Sequence, residues 1–134
     1  MPTVAGGTAA SEWAIGAALT KGRITAQSLA TGASYIADVD TVGDNELSVT
    51  AEMTGAANGD LTVSVIPFKG DNVTPMTGVT LTPISSNGPT FASPNVSFNG
   101  LYDVSGYPKV RIAIKNNNAG TQTLNELSWR LSGG

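Results

Sequence analysis

The chain of 134 residues contains no histidine and no cysteine. Without histidine, the commonest general base, zinc ligand and proton shuttle are missing. Without cysteine there is no disulfide framework, no thiol nucleophile and no thiolate metal site. Charge is scarce as well: 13% of residues are charged and the net charge is −3. A domain that binds nucleic acid carries a basic excess to neutralise phosphates, so that class of partner is not expected. No apolar run approaches the ~20 residues of a membrane-spanning helix, and no membrane partner is expected. The start of the chain lacks basic residues ahead of an apolar stretch, and Glu12 stands just before the short "WAIGAAL". A secretory signal is therefore not expected.

What remains suits β-structure: 40% apolar residues, abundant threonine and serine, and 16 glycines, with Gly and Pro gathered at spaced turns. Tyr35, Ala37 and Val39 alternate with polar neighbours up to the turn "DTVGDN". Leu47, Val49, Ala51 and Met53 alternate with Glu46, Ser48, Thr50 and Glu52, the pattern of a half-buried strand. Asn58-Gly59 reads as a hairpin turn before Leu61, Val63 and Val65. Val79 and Leu81 read as a short strand. Phe91 to Phe98 reads as another, with Pro94 marking an edge or bulge, and Leu101 to Val104 as the next. The segment from Lys109 to Leu131 reads as a closing hairpin. Val110, Ile112, Ile114, Leu127, Trp129 and Leu131 face a second sheet, and Leu124 is out of phase with them, which predicts a bulge or wide turn in 118–124.

These are about eight strands at spacings of roughly 8–14 residues. Such short connections imply antiparallel pairing, and a two-sheet sandwich closes the core. The stretch "ADVDTVGDNELSVTAEMTGAANG" also lies over "YDVSGYPKVRIAIKNNNAG", so that Leu47, Val49 and Ala51 match Val110, Ile112 and Ile114. Two similar halves point to a jelly roll. The expected fold is an all-β, antiparallel β-sandwich, jelly-roll-like, with an extended N-terminal arm. Residues 1–24 form either that arm or an added strand, and residues 25–134 form the sandwich domain.

No catalytic group is expected. The ten acids are scattered over turns and outward strand positions, and Lys21 or Lys69 would need a dry pocket to act as a nucleophile. No cofactor is expected. Asp38, Asp40 and Asp44, with Glu46, offer oxygen ligands for a structural calcium, but their spacing is not that of an EF-hand and Asx-rich turns form without metal. A sugar platform would need exposed aromatic rings. Phe91, Phe98 and Trp129 fall in inward phase, whereas Tyr102 and Tyr107 flank the "DVSG" turn as either a platform or an apolar lid. The isolated apolar residues Trp13, Ile15 and Leu19, followed by Lys21 and Arg23, suit a segment that orders on a partner or protomer surface.

The segment "YDVSGYPKVRIAIKNNNAGTQTL" and the Ala/Gly/Thr-rich start resemble bacteriophage capsid decoration (cement) proteins and, more broadly, small β-sandwich virion proteins. The resemblance implies a non-enzymatic structural role. The protein would bind the major capsid protein on the outer surface of the virion and stabilise the shell, self-associating as a homotrimer. It would be made in the host bacterial cytoplasm. The alternative is a carbohydrate-binding β-sandwich module, phage-borne or secreted.

Overall fold

The computed structural model describes residues 11–15 and 18–133, with side chains from residue 22 onward. The strands are β1 (Ser11–Ile15), β2 (Ala18–Leu29), β3 (Ser34–Asp40), β4 (Glu46–Thr54), β5 (Leu61–Pro67), β6 (Ser85–Ala92), β7 (Asn95–Asp103), β8 (Lys109–Asn116) and β9 (Gln122–Ser132). They form a six-stranded sheet in the order β1-β2-β9-β4-β7-β6 and a three-stranded sheet in the order β3-β8-β5. All the strand pairings are antiparallel. The long-range pairs nest: β2 with β9, β3 with β8, β4 with β7. Successive strands β2 to β5 alternate between the sheets, which is the winding of a jelly roll. The protein is an all-β, jelly-roll-like sandwich.

The alternating residues close the core between the sheets. Leu47, Val49, Ala51 and Met53 on β4 are buried, as are Val110, Ile112 and Ile114 on β8 and Leu127, Trp129 and Leu131 on β9. The two strands that echo one another in sequence, β4 and β8, each occupy an interior position in their sheet. Leu124 is buried too, because β9 carries a bulge. Glu52 pairs with Glu126 and Met53 with Leu124, so Asn125 is the extra residue, one position beyond the predicted range. The Trp129 ring lies over Gly22 on the neighbouring strand: a Cβ at Gly22 would sit 2.1 Å from the indole.

Four expectations need correction. The segment from Lys109 to Leu131 is not a hairpin, because β8 lies in the small sheet and β9 in the large one. The turn at Asn58-Gly59 likewise carries the chain from one sheet to the other, through a short 3-10 turn, Asn58–Asp60. Val79 and Leu81 do not form a strand. Their segment follows the edge of β5 with the bond from Leu81 N–H to the Val65 carbonyl at 2.8 Å. Phe91 to Phe98 is not one strand but the tip of the β6–β7 hairpin, whose turn falls at Ser93-Pro94, where proline has no amide hydrogen for the ladder.

Residues 1–10 lie outside the described residues. Residues 11–15 and 18–24, within the segment that the sequence leaves open between arm and added strand, are paired strands: β1 at a sheet edge against β2, and β2 against β9.

Polar side chains organise the connections. Asn116 is fully buried; its amide donates to the Leu29 carbonyl at 2.9 Å and the Gly120 carbonyl at 3.0 Å, and its Oδ1 accepts the Asn118 N–H at 2.8 Å. In the loop after β5, Asp71 accepts the N–H of Val73 and of Thr74, each at 2.9 Å, and the Thr74 hydroxyl at 2.8 Å. Those donors, the Val73 amide foremost, pull the Asp71 carboxyl from 3.8 to about 2. The folded-state value is depressed, so this carboxylate favours the folded loop fully above the ordinary carboxylate range, and the preference is lost as pH falls through about 2. An NMR titration should therefore place the Asp71 carboxyl midpoint well below that of a solvated aspartate. A midpoint near 4 would mean that the capped loop does not persist in solution.

Candidate functional site

Alternation that turns apolar residues of the large sheet inward turns a polar set outward. Two adjacent cross-strand rungs run over five strands of that outer face. One passes through Arg23, Ser128, Thr50, Asn99 and Asn87, on β2, β9, β4, β7 and β6. The next passes through Thr25, Glu126, Glu52, Ser97 and Thr90 on the same strands. Where they cross the middle of the sheet they line a groove of about 480 Å³, made by Thr50, Glu52, Asn87, Thr90, Ser97, Asn99 and Glu126 with Ala51 and Phe98. This volume lies within the usual range of ligand sites.

The side chains of the groove hold one another in place. Asn99 Nδ2 donates to Thr50 Oγ1 at 2.8 Å. Glu52 accepts from Asn95 Nδ2 at 3.3 Å on one oxygen and from Ser97 Oγ at 3.2 Å on the other. The Asn125 amide, at the bulge of β9, donates to Asn95 Oδ1 at 3.0 Å. Arg23 holds Glu126 in a fork, with Nε at 2.9 Å from Oε2 and Nη2 at 2.8 Å from Oε1. That pairing raises the Arg23 pKa above its ordinary value, chiefly through the hydrogen bond itself. Amides, hydroxyls and carboxylates fixed on a rigid sheet can read a partner that presents many hydroxyl groups.

Of the candidate residues whose side chains are described, Arg23 stands on one of the rungs and Phe98 borders the groove; the others lie elsewhere. Tyr102 is not a surface ring: it is 2% exposed, and burial raises its pKa. Tyr107 is 37% exposed, in the turn before β8, where it borders a smaller depression of about 240 Å³ with Thr41, Val42, Gly43, Asp44, Gly106 and Pro108. The two tyrosines therefore form no shared platform. Phe98 and Trp129 are core, and Phe91 packs against it half-buried. Phe68 is also covered, with Lys109 Nζ 4.8 Å and the Arg111 guanidinium 5.4 Å from its ring centre.

The acidic run does not converge on a cation. Asp38 is bound in two-pronged fashion by Arg111, at 2.7 and 3.1 Å, and Asp40 accepts the Val42 N–H at 3.1 Å. Asp44 is in the loop, where its N–H bonds to the Thr41 carbonyl at 3.0 Å. Among the described residues no group of three or more acids is placed to hold a metal ion. The calcium reading of Asp38, Asp40 and Asp44 is corrected accordingly: period-two spacing puts Asp38 and Asp40 on the outer face of β3, where a cross-strand arginine meets the first. Lys69 is an exposed loop residue, without the dry pocket a nucleophilic lysine needs. Trp13 and Ile15 occupy positions in β1, and Leu19 and Lys21 positions in β2; their side chains lie outside the described part.

No family model matches the chain, and no curated protein matches it. Among solved structures it is similar to a family GH115 4-O-methyl-α-glucuronidase with specificity for decorated arabinogalactans. The TM-score is 0.50 at 12% identity, over 94% of this chain and 18% of that one. It is also similar to the xylan-binding module CBM15, with TM-score 0.49 at 14% identity over 98% of this chain and 95% of the module. A non-crystalline-cellulose-specific carbohydrate-binding module, CBM28, follows with TM-score 0.44 at 9% identity, over 94% of this chain and 81% of that one. The likeness is one of fold. The chain spans 18% of the length of the glucuronidase.

Proposed function

We propose that this chain is a carbohydrate-binding β-sandwich module, and that it takes a glycan on the outer face of the six-stranded sheet. The observation that supports this is the pair of polar rungs over β2, β9, β4, β7 and β6, with the groove of about 480 Å³ at their centre. Sugars offer neighbouring hydroxyls that both donate and accept. Planar amides such as Asn87 and Asn99 and a carboxylate such as Glu52 match them in pairs. Each hydrogen bond adds only about 0.5–1.5 kcal/mol net, so useful affinity needs several acting together on side chains already ordered. The reading is of binding without turnover.

The segment that resembles decoration proteins has another use in this fold. Tyr102, Val104, Val110, Ile112 and Ile114 fill the core, Asp103 caps the turn through Ser105, and Asn116 ties the connections. The capsid reading gains no separate support from those residues.

The test is affinity electrophoresis and calorimetry against a panel of soluble polysaccharides, with Asn99→Ala as the probe. The wild-type chain should be retarded by at least one polymer. Asn99→Ala should weaken that binding about tenfold, or about 1.4 kcal/mol. Its unfolding free energy should stay within about 0.5–1 kcal/mol of wild type, as for an exposed side chain. A panel with no binder sinks the proposal.

A further inference from the structure

Resting on that reading, we infer the class of ligand: an uncharged polyhydroxyl chain that crosses the strands of the large sheet and is read by hydrogen bonds alone, while polyanionic chains are rejected. The direction follows from the rungs, which run perpendicular to the strands. Five strands at the usual spacing extend about 19 Å, long enough for a chain of several sugar units.

The absence of stacking follows from where the rings are. Of the described residues that line the groove, the one aromatic is Phe98, and it is 7% exposed. Beside it stand hydroxyls, amides and carboxylates. A ligand that binds through ring faces, such as the flat surface of a crystalline polymer, finds no platform there. A single soluble chain can instead turn its hydroxyl edges towards Asn99 and Glu52.

The charge preference follows from the pairing. Glu126 is neutralised by Arg23 through contacts of 2.8–3.1 Å. Glu52 has two neutral donors, Asn95 and Ser97, and no ion pair is formed to it among the described residues. Among the described side chains, the other charged groups on this face stand outside the groove: Glu46 opposite Asp103, and Arg130 one rung beyond Arg23, at the register position of Lys21. The centre of the groove is thus net negative. A uronate or sulfate placed there meets a like charge, whereas a neutral sugar hydroxyl donates to it.

The experiment compares wild type and Glu52→Gln by calorimetry at low and at moderate salt. Neutral probes are galactomannan, mixed-linkage glucan and arabinoxylan; the polyanions are polygalacturonate and alginate; crystalline cellulose is the flat surface. The expected result is binding to at least one neutral polymer, with the polyanions at least tenfold weaker at low salt and cellulose not retained. Salt should narrow the gap by screening. Glu52→Gln should narrow it at least threefold. Tighter binding of a polyanion than of every neutral polymer overturns the inference, as does retention on cellulose or a gap that Glu52→Gln leaves unchanged. Each of those results leaves the module a carbohydrate binder. A chain that binds none of the polymers overturns the proposed function itself.

Discussion

Gly22→Ala destabilises the domain about as much as Trp129→Ala, and combining the two substitutions is milder than their sum. The reason is a single contact. Gly22 and Trp129 are cross-strand partners, and the indole lies over the glycine: a Cβ there would be 2.1 Å from Cζ2 and 2.4 Å from Cε2. Real Cβ atoms do not approach ring carbons so closely, so the ring must leave its place or the strands must part. Trp129 is 5% exposed and packs among Ile24, Leu127 and the other core residues. Removing the ring should cost about 3–5 kcal/mol. Displacing it with a methyl group should cost about 3 kcal/mol, at the upper end of overpacking. With the ring already gone, the methyl has room. In urea melts the double variant should then lie within about 1 kcal/mol of Trp129→Ala alone. Strict additivity would separate the two residues, and a loss below 1 kcal/mol for Trp129→Ala would put the ring on the surface.

The second large effect is expected at Asn116. Its side chain is fully buried and satisfies three backbone groups: the carbonyls of Leu29 and Gly120 and the N–H of Asn118. Alanine leaves those groups without that partner and opens a small void. A buried polar group left unsatisfied costs about 1–3 kcal/mol, so Asn116→Ala should lose about 3 kcal/mol in all. Asn116→Asp should be worse at neutral pH, because a carboxylate would face the same two carbonyls in a dry site. Lowering the pH towards protonation should recover part of the difference between Asp and Ala. Melting points that do not change for either variant would show that the connection is not held by this residue.

Much of the fold was legible because burial writes itself into a strand with period two. The inward sets on β4, β8 and β9 follow directly from "ELSVTAEM", "KVRIAI" and "LSWRL". Glycine was the misleading signal. Gly100 falls between the expected strands Phe91 to Phe98 and Leu101 to Val104, yet it lies inside β7, where the rings of Phe98 and Tyr102 close over it: a Cβ there would be 2.7 Å from Phe98 Cζ and 3.2 Å from Tyr102 Cε1. Gly22 falls in a segment with no clean alternation, and its role is to admit a ring from another strand. A glycine that makes a turn and a glycine that makes room look alike in sequence.

The candidate site was legible only in part. Thr50 and Glu52 are recognisable as outward residues of β4, but Asn87, Ser97 and Asn99 become their neighbours only through pairing over distances of 30 or more residues. No local signal marks them, and Tyr102, an aromatic residue beside a turn that suits a sugar platform by sequence, has its ring in the core.

The sequence by itself determined that the chain is all-β, which side chains of most strands turn inward, and that histidine and cysteine chemistry is absent. These follow from composition and from a period that each strand carries alone. Only the tertiary structure decided which strands share a sheet. β8 and β9 alternate as the two arms of a hairpin would, but they belong to opposite sheets, and β4 and β5 do likewise. Alternation says that one face of a strand is buried. It does not say whether the next strand lies beside it or across the core from it, because both arrangements bury the same residues. That choice is set by pairing between distant strands, β2 with β9, β3 with β8 and β4 with β7, and it is the same choice that gathers the polar rungs into a groove.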